Sequence, residues 1–284
     1  MPELELYERK VLSDEELPVE MQSSFWNELG IAFPVHWHEH IELHYILQGT
    51  AEFHIDQQIL PVQAGDLLVV NPNELHTASC TQSPYKSYVL IFDLPDLSRE
   101  LAKKRYRFFT LVRNDPTVQT LISRIFSESA QQKLGHKALC RALITEFLVY
   151  LCRHYADQPF PELAALRRGK ALERLNPVLQ YVEAHYPERM TVEQLADMMH
   201  LSEDRFAHLF REGVQQAPLQ YINEVRLRKA MALLRTHEYT VTAVAEAVGF
   251  TDYNHFGRLF RKRYGFTPNQ VRLGKDIPEN SGIV

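Results

Sequence analysis

The chain has 284 residues, of which 45% are hydrophobic and 24% are charged, as expected for a globular protein of two ordinary domains. The first thirty residues are acidic and have no apolar run, and no stretch reaches the roughly 18 apolar residues of a membrane span, so neither a signal peptide nor a transmembrane helix is expected. The net charge is −5, and the three cysteines show no paired spacing, which indicates a reducing cytoplasm rather than a disulfide framework.

Charge is distributed unevenly along the chain. Residues 1–93 contain 3 Lys and Arg against 15 Asp and Glu, whereas residues 94–187 contain 15 against 9 and residues 188–274 contain 12 against 10. Because the first segment would repel nucleic acid, any contact with DNA must come from the two later segments.

The first part of the chain has the pattern of an arm followed by β-structure. Residues 1–29 show no clear period and are predicted to form an N-terminal arm. Between residues 30 and 93, apolar and polar side chains alternate in short runs such as AEFHID, and turn-like segments separate these runs. This pattern predicts an antiparallel β-barrel or sandwich.

A helical period replaces the alternation from about residue 115. Asp115 followed by Pro116 is typical of an N-cap and a first helical position. A second helix has an apolar stripe, which either packs on the β-structure or forms a dimer face. The stripe consists of Leu139, Leu143, Phe147, Tyr150 and Leu151. Two prolines and a basic cluster then predict a linker at 157–170.

The C-terminal segment contains an internal repeat. MTVEQLADMMHLSEDRFAHLFRE aligns with YTVTAVAEAVGFTDYNHFGRLFRK, and the second copy has one more residue in its turn. Thr191 or Thr240 caps a short helix, a tight turn contains His200 or Gly249, and a second helix buries two phenylalanines. This arrangement is typical of a helix-turn-helix unit, and a helical bundle with repeated packing is the alternative. The two units span about residues 191–213 and 240–264.

Residues 240–272 resemble the second helix-turn-helix signature of the AraC/XylS family of bacterial transcription regulators, and the resemblance covers 171–274. It implies two helix-turn-helix units joined by one long helix at 217–235, and activation of transcription through contact with RNA polymerase. Two recognition helices on one rod can enter successive major grooves about 34 Å apart. We therefore expect a DNA site with two unlike halves about one helical turn apart.

The outward face of each second helix, together with the family's base-contacting positions, gives the candidate DNA contacts. In the second unit these are Tyr253, Asn254, His255 and Arg258 for bases, and Arg261 and Lys262 for phosphates. In the first unit they are Asp204, Arg205, His208 and Arg211. The acids Glu203 and Asp204 either accept hydrogen bonds from cytosine or only cap the helix. A basic cluster on the connecting helix either contacts phosphate or lies on a solvated face: Arg226, Arg228 and Lys229.

Residues 30–93 also resemble a cupin barrel, which AraC-type regulators often carry as a sensor. The first cupin motif is matched without a gap by Gly30, His36, His38, Glu42 and Gly49. The second motif is matched by Gly65, Pro72 and His76, although Glu74 stands where many cupins have glycine. In metal-binding cupins, one divalent ion is ligated by the positions that match His36, His38, Glu42 and His76.

A shared ion imposes a geometric condition on this cluster. Along a straight strand, residues 36 and 42 lie about 20 Å apart, whereas ligand atoms lie about 2.0–2.2 Å from a metal. The chain must therefore fold back between residues 38 and 42, or alternate side chains from 36 to 44 line one strand face. With or without a metal, the cluster predicts a pocket for a small polar metabolite such as a sugar. The predicted ligand-binding residues are His36, Trp37, His38, Glu42, His44, Tyr45 and His76.

The expected fold is α+β. A cupin-like antiparallel β-barrel with a helical dimerisation region occupies 30–160, and an all-α double helix-turn-helix domain occupies 171–274. We predict a cytoplasmic, homodimeric transcription activator that binds double-stranded DNA, RNA polymerase and a small-molecule effector, with no membrane partner. It has no predicted catalytic residue and requires no cofactor, and whether the barrel holds a divalent metal is left open. The alternative is a metal-dependent cupin enzyme with an appended DNA-binding domain.

Overall fold

The computed structural model describes residues 6–103, 106–159 and 162–274. The chain forms two compact units, the first from Tyr7 to Lys170 and the second beginning at Ala171. Within the described residues, no helix is both long enough and apolar enough to cross a bilayer.

The first unit is built on antiparallel strands. They are β1 (Val19–Trp26), β2 (Gly30–His36), β3 (Ile41–Ile55), β4 (Gln58–Gln63), β5 (Leu67–Val70), β6 (His76–Phe92), β7 (Tyr106–Phe108), β8 (Leu111–Val112) and β9 (Ala156–Pro159). β3 and β6 pair along most of their length, while β6 also pairs with β1 and β2, and β3 also pairs with β4 and β5. β5 pairs with β8, and β7 pairs with β9 in a separate ladder. The antiparallel prediction is confirmed.

The described strands form an open antiparallel arrangement, not a closed barrel. The path through the described strands runs β1-β6-β3-β5-β8 and does not close on itself. Register shifts between Ile46 and Ala51 interrupt the pairing of β3 with β6, and such irregularities bend a strand. The two halves of the long strands therefore present their side chains to two different apolar clusters.

Two segments differ from their sequence-based prediction. β1 lies within the predicted arm of residues 1–29 and pairs with β6 from Val19 opposite Phe92 to Trp26 opposite Tyr85. It is an edge strand with many solvated side chains, so its apolar alternation is weak. The predicted linker at 157–170 is also wrong, because a helix begins at Glu162 and continues past residue 170.

The described residues between β6 and α6 (Val192–Met198) contain five helices. They are α1 (Leu94–Leu97), α2 (Arg99–Ala102), α3 (Pro116–Gln131), α4 (His136–His154) and α5 (Glu162–His185). The predicted cap is confirmed, because the Asp115 carboxylate accepts hydrogen bonds from the backbone N–H groups of Thr117 and Val118. α3 and α4 share one apolar core with the outer face of the sheet. Most of the predicted stripe on α4 lies in or against this core, whereas Leu139 is 46% exposed.

The second unit is helical, as expected. After the C-terminal part of α5 it contains α6 (Val192–Met198), α7 (Glu203–Val214), α8 (Pro218–Arg235), α9 (Val241–Ala247), α10 (Tyr253–Tyr264) and α11 (Pro268–Arg272). α6 with α7 and α9 with α10 form the two predicted pairs, and α8 connects them. Each pair buries the two phenylalanines that the repeat predicts, namely Phe206 and Phe210 or Phe256 and Phe260.

Candidate sensor site and nucleic-acid interface

The histidine cluster converges because the chain turns between β2 and β3. β2 ends at His36 and β3 begins at Ile41, and the short connection carries His38. His76, the first residue of β6, lies opposite His36 in the ladder. One ligand atom from each of four side chains lies within 4.8 Å of the other three. The four are His36, His38, Glu42 and His76, so the folding-back condition is met.

Each imidazole in this set has one nitrogen bonded to the backbone. Nδ1 of His36 lies 3.0 Å from the carbonyl oxygen of Pro34, and Nδ1 of His76 lies 2.9 Å from that of Glu74. Nδ1 of His38 lies 3.2 Å from a carbonyl oxygen two residues further along. Because a carbonyl only accepts, these contacts favour a hydrogen on Nδ1, and Nε2 of His38 and of His76 lies beside the Glu42 carboxylate. This is the arrangement that a metal-ligating histidine requires.

Glu42 joins the imidazoles through both of its carboxylate oxygens. Oε2 lies 2.8 Å from Nε2 of His38 and 3.2 Å from Nε2 of His76. Oε1 lies 2.7 Å from Nε2 of His44, which is buried between the rings of Phe33 and Phe53. Burial raises the pKa of the Glu42 carboxyl, but the charge of His44 and the surrounding imidazole hydrogen bonds hold that pKa well below its usual range.

The N-terminal segment supplies a second carboxylate to the cluster. Oε2 of Glu8 lies 3.3 Å from Nε2 of His36 and Oε1 lies 3.0 Å from Nζ of Lys10. Burial raises the pKa of Glu8, but His36 and Lys10 outweigh it and lower that pKa to about 2. The backbone N–H of Glu8 also donates to the carbonyl of Trp37 at 3.0 Å. Sequence reasoning missed Glu8, because nothing in the local pattern links it to a motif 28 residues away.

The two predicted aromatic residues of the pocket have different positions. The Trp37 side chain is 2% exposed and packs on Tyr7 with ring centroids 4.7 Å apart. Tyr45 lies in the core between the sheet and α3 and α4, so its assignment to the pocket is corrected. The reason is the period of two in a strand, which directs Tyr45 to the face opposite Glu42 and His44. His40 is also outside the cluster, where its Nδ1 lies 2.8 Å from the carboxylate of Asp93.

The two helix-turn-helix units have matched local geometry. Thr191 and Thr240 accept hydrogen bonds from the backbone N–H groups of Gln194 and Ala243, which confirms both predicted caps. The tight turns have a positive φ of 55° at His200 and 87° at Gly249. Asp252 caps α10, because its carboxylate accepts from the backbone N–H groups of Asn254 at 2.8 Å and His255 at 3.0 Å. The sequence also predicts Ser202 as the corresponding cap of α7, but its side chain makes no such hydrogen bond, so that prediction is wrong.

The predicted base-contacting side chains all lie on exposed faces. α10 exposes one face with Tyr253, Asn254, His255, Arg258, Arg261 and Lys262, and α7 exposes one with Glu203, Asp204, Arg205, His208 and Arg211. The phenylalanines on the opposite faces are buried. The N-terminal end of each second helix is therefore accessible to a duplex, although the first copy presents two acids there.

The basic cluster on α8 serves the packing of the second unit. Arg228 is 8% exposed and its guanidinium pairs with the carboxylate of Glu183. Arg226 donates to the backbone carbonyls of Tyr186 and Glu188, at 2.7 Å each. Lys229 lies over the ring of Tyr186. The solvated-face alternative is therefore wrong for Arg228, and these three side chains connect α8 to the C-terminal part of α5 and the residues that follow it.

Comparisons with known proteins agree for both units. An AraC-like ligand binding domain family matches residues 23–148, and a helix-turn-helix domain family matches residues 195–274. The HTH-type transcriptional activator RhaS of Escherichia fergusonii is 29% identical over 264 residues, which cover 86% of this chain and 89% of RhaS. The chain therefore has an AraC-like ligand-binding domain and a helix-turn-helix domain, and it is similar to the transcription regulator RhaS along most of its length.

Further relatives of the chain come from other bacteria. The uncharacterized HTH-type transcriptional regulator YdeC of Bacillus subtilis is 27% identical over 267 residues, which cover 89% of this chain and 91% of YdeC. Among solved structures, an apo ToxT variant from Vibrio cholerae has a TM-score of 0.43 at 10% identity, and the match covers 90% of this chain and 97% of ToxT. The two family matches and the relatives RhaS and YdeC, without the structural likeness, support a DNA-binding transcription regulator with an AraC-like ligand-binding domain.

Proposed function

We propose that this protein is an AraC-family regulator that activates transcription by binding a promoter through both helix-turn-helix units and contacting RNA polymerase there. The observation that supports this most directly is the pair of exposed helices, α7 and α10, that follow matched capped helices and tight turns. RhaS, which is named a transcriptional activator, aligns with most of the chain. We expect α8 to hold the two helices so that they enter successive major grooves.

Direct readout in the second unit depends on the exposed polar side chains of α10. Arg258 can donate two hydrogen bonds to guanine, and Asn254 can bond adenine at two atoms. Arg261 and Lys262 lie further along the helix and are assigned to phosphates, which contribute affinity without sequence information. In the first unit Arg205 and His208 are the corresponding candidates. Glu203 and Asp204 there stabilise the helix N-terminus, where negative charge is favoured.

The sensor site is assigned to a small polar effector, with a sugar as the first class to examine. Three imidazoles and one carboxylate fit the nitrogen and oxygen coordination of a divalent ion such as Zn²⁺. His36, His38, Glu42 and His76 would hold the ion, and a bound ion would supply a positive charge for a hydroxyl or carboxylate of the effector. The remaining polar groups of the cluster, His44 and Glu8, orient two of these ligands.

The regulator is assigned no catalytic activity of its own. Both relatives described above are named transcription regulators, and each aligns with this chain along most of its length. This favours the regulator over the cupin enzyme with an appended DNA-binding domain. Binding of a promoter places the protein in the cytoplasm. A homodimer is proposed because two linked copies raise the effective concentration of the DNA-binding units without any new contact.

Selection from random double-stranded oligonucleotides, at fixed salt and with the full-length protein, tests this function. The enriched site should contain two unlike blocks about one helical turn apart. Recovery of sequences with no common block, by protein that is folded and monodisperse, would show that the chain does not read sequence.

A further inference from the structure

One carboxylate oxygen joins α5 to the loop between β5 and β6. Oδ1 of Asp56, in the turn after β3, accepts from the Arg168 guanidinium at 2.5 Å and from the backbone N–H of Leu75 at 3.2 Å. The backbone N–H of Asp56 donates to the carbonyl of Leu75 at 2.8 Å. Arg168 lies on α5 and is 8% exposed, so this ion pair is shielded from water. Breaking this ion pair would therefore affect both the loop and α5.

The same loop, residues 71–75, is bonded on its other side to the histidine cluster. The backbone N–H of Asn73 donates to the carbonyl of His38 at 2.8 Å. Nδ1 of His76 donates to the carbonyl of Glu74 at 2.9 Å. The loop is thus bonded to the backbone of His38 and to the ring of His76, which also follows Leu75 directly in the chain. A shift of the His76 ring or of the His38 backbone therefore displaces the loop.

α5 also packs its backbone against this loop. A Cβ on Gly169 would lie 3.2 Å from Oδ1 of Asn73, closer than most side chains tolerate. The carboxylate of Glu74 is held from a third side by Arg107 at 2.8 Å. The loop therefore has little freedom to move without moving its partners, as is general for close-packed interiors.

We propose that loop 71–75 transmits the occupancy of the histidine cluster to α5 through the ion pair between Asp56 and Arg168. This inference rests on the proposed function, because it assigns the regulation of the same site. The four candidate ligand atoms now lie within 4.8 Å of one another, whereas the ligand atoms of a tetrahedral ion at about 2.0–2.2 Å lie about 3.3–3.6 Å apart. Because Nε2 of His38 and of His76 now lie 2.8 Å and 3.2 Å from Oε2 of Glu42, binding changes the spacing of these ligand atoms, and hence the position of the loop and of the part of α5 that precedes Ala171.

Hydrogen exchange of the full-length protein tests the transmission, with Zn²⁺ alone as the probe. In wild type, saturating Zn²⁺ should slow exchange about tenfold in the loop and at amides 166–170 of α5. In Arg168→Gln, Zn²⁺ should slow exchange in the loop only. The matched control is Arg113→Gln, which removes the pair of Arg113 with Asp66 from the same unit and should behave as wild type. Slowing at 166–170 that persists in Arg168→Gln would overturn the proposal.

A second perturbation separates this inference from the proposed metal. His76→Gln disturbs the cluster without any ion and should speed hydrogen exchange at amides 166–170 of the otherwise wild-type protein. In the double variant with Arg168→Gln, exchange there should be no faster than in Arg168→Gln alone. Effects of the two substitutions that add to within about twofold, as for independent sites, would overturn the transmission even if Zn²⁺ binds. If Zn²⁺ does not bind while the effects are non-additive, the metal assignment fails and the transmission stands. Arg168→Lys, which keeps the charge, should restore part of the coupling and shows that loss of fold is not the cause.

Discussion

Glu42 directs its two carboxylate oxygens to different parts of the histidine cluster. Oε2 is the oxygen shared with His38 and His76, while Oε1 is occupied by His44. A ligating carboxylate that is fixed by a neighbouring donor loses less freedom when an ion binds. We therefore propose that His44 orients Glu42. Glu42 would then be a direct metal ligand together with His36, His38 and His76.

Replacement of His38 gives the sharpest test of the cluster. His38→Ala should lower the affinity for Zn²⁺ at least about 100-fold, because a ligand and its bond to Glu42 are lost together. Affinity for DNA in the absence of any ligand should stay within about twofold, because α7 and α10 are untouched. Competition with a zinc-binding dye measures the first quantity. His136→Ala, which removes a histidine at the start of α4, is the matched control, and equal zinc affinity in the two variants would remove His38 from the site.

Arg258 is the residue through which the second unit should choose a base. Arg258→Ala should relax the preference at one position of the DNA site and cost about 1–3 kcal/mol of binding free energy. Arg261→Ala should instead weaken binding to all sequences and reduce the slope of log affinity against log salt by about one. Binding to a panel of single-base variants at several salt concentrations separates the two, and an unchanged base preference in Arg258→Ala would exclude it from base readout.

Individual residues differ in how far the sequence could place them. The cluster of His36, His38, Glu42 and His76 was predictable because the spacing of these residues matches the two cupin motifs. Tyr45 was misplaced because a hydrophobic pocket and a hydrophobic core select the same side chain. Glu8 was missed because its contact with His36 depends on tertiary folding of a segment that has no pattern of its own.

At the scale of elements, the turn of the second unit is the most constrained feature. Gly249 has a φ of 87°, and an added Cβ would lie 2.3 Å from the backbone carbonyl oxygen of Pro187. Gly249→Ala should therefore destabilise the second unit by about 3 kcal/mol or more, since backbone strain and a clash with immobile atoms add together. Hydrogen exchange at the amides of α10 measures this free energy.

Gly257, inside α10, offers a control for this substitution. An added Cβ there meets no atom within 4 Å, and the backbone is helical. Gly257→Ala should raise helix stability by up to about 1 kcal/mol. If both substitutions slow or speed exchange to the same extent, the turn does not need glycine.

Elements were predictable where local signals agreed with tertiary structure. The two helix-turn-helix pairs were found because caps, turn residues and buried phenylalanines repeat in register. β1 was missed because an edge strand buries too few side chains to show alternation. The start of α5 was mistaken for a linker because two prolines precede it and its basic cluster is typical of loops. The burial of Arg168 against Asp56 could not be predicted from the sequence.

At the scale of the whole molecule, two functions meet in one chain. The first unit contains the candidate ligand-binding cluster, and the second contains the two helices that we propose bind DNA. An effector can control the second unit only if it binds one arrangement of the chain better than another. We propose that the ion pair of Asp56 with Arg168 is the contact through which effector binding in the first unit changes the position of α5.

The most direct measurement of the central claim, that one protein chain contacts two neighbouring turns of a duplex, uses the selected site with its spacing changed. Insertion of five base pairs between the two blocks rotates one block by about half a turn, so that α7 and α10 can no longer both reach their grooves. We predict that affinity for the full-length protein then falls to that of a single block. Affinity that is unchanged by the insertion, at the same salt concentration, would contradict the account.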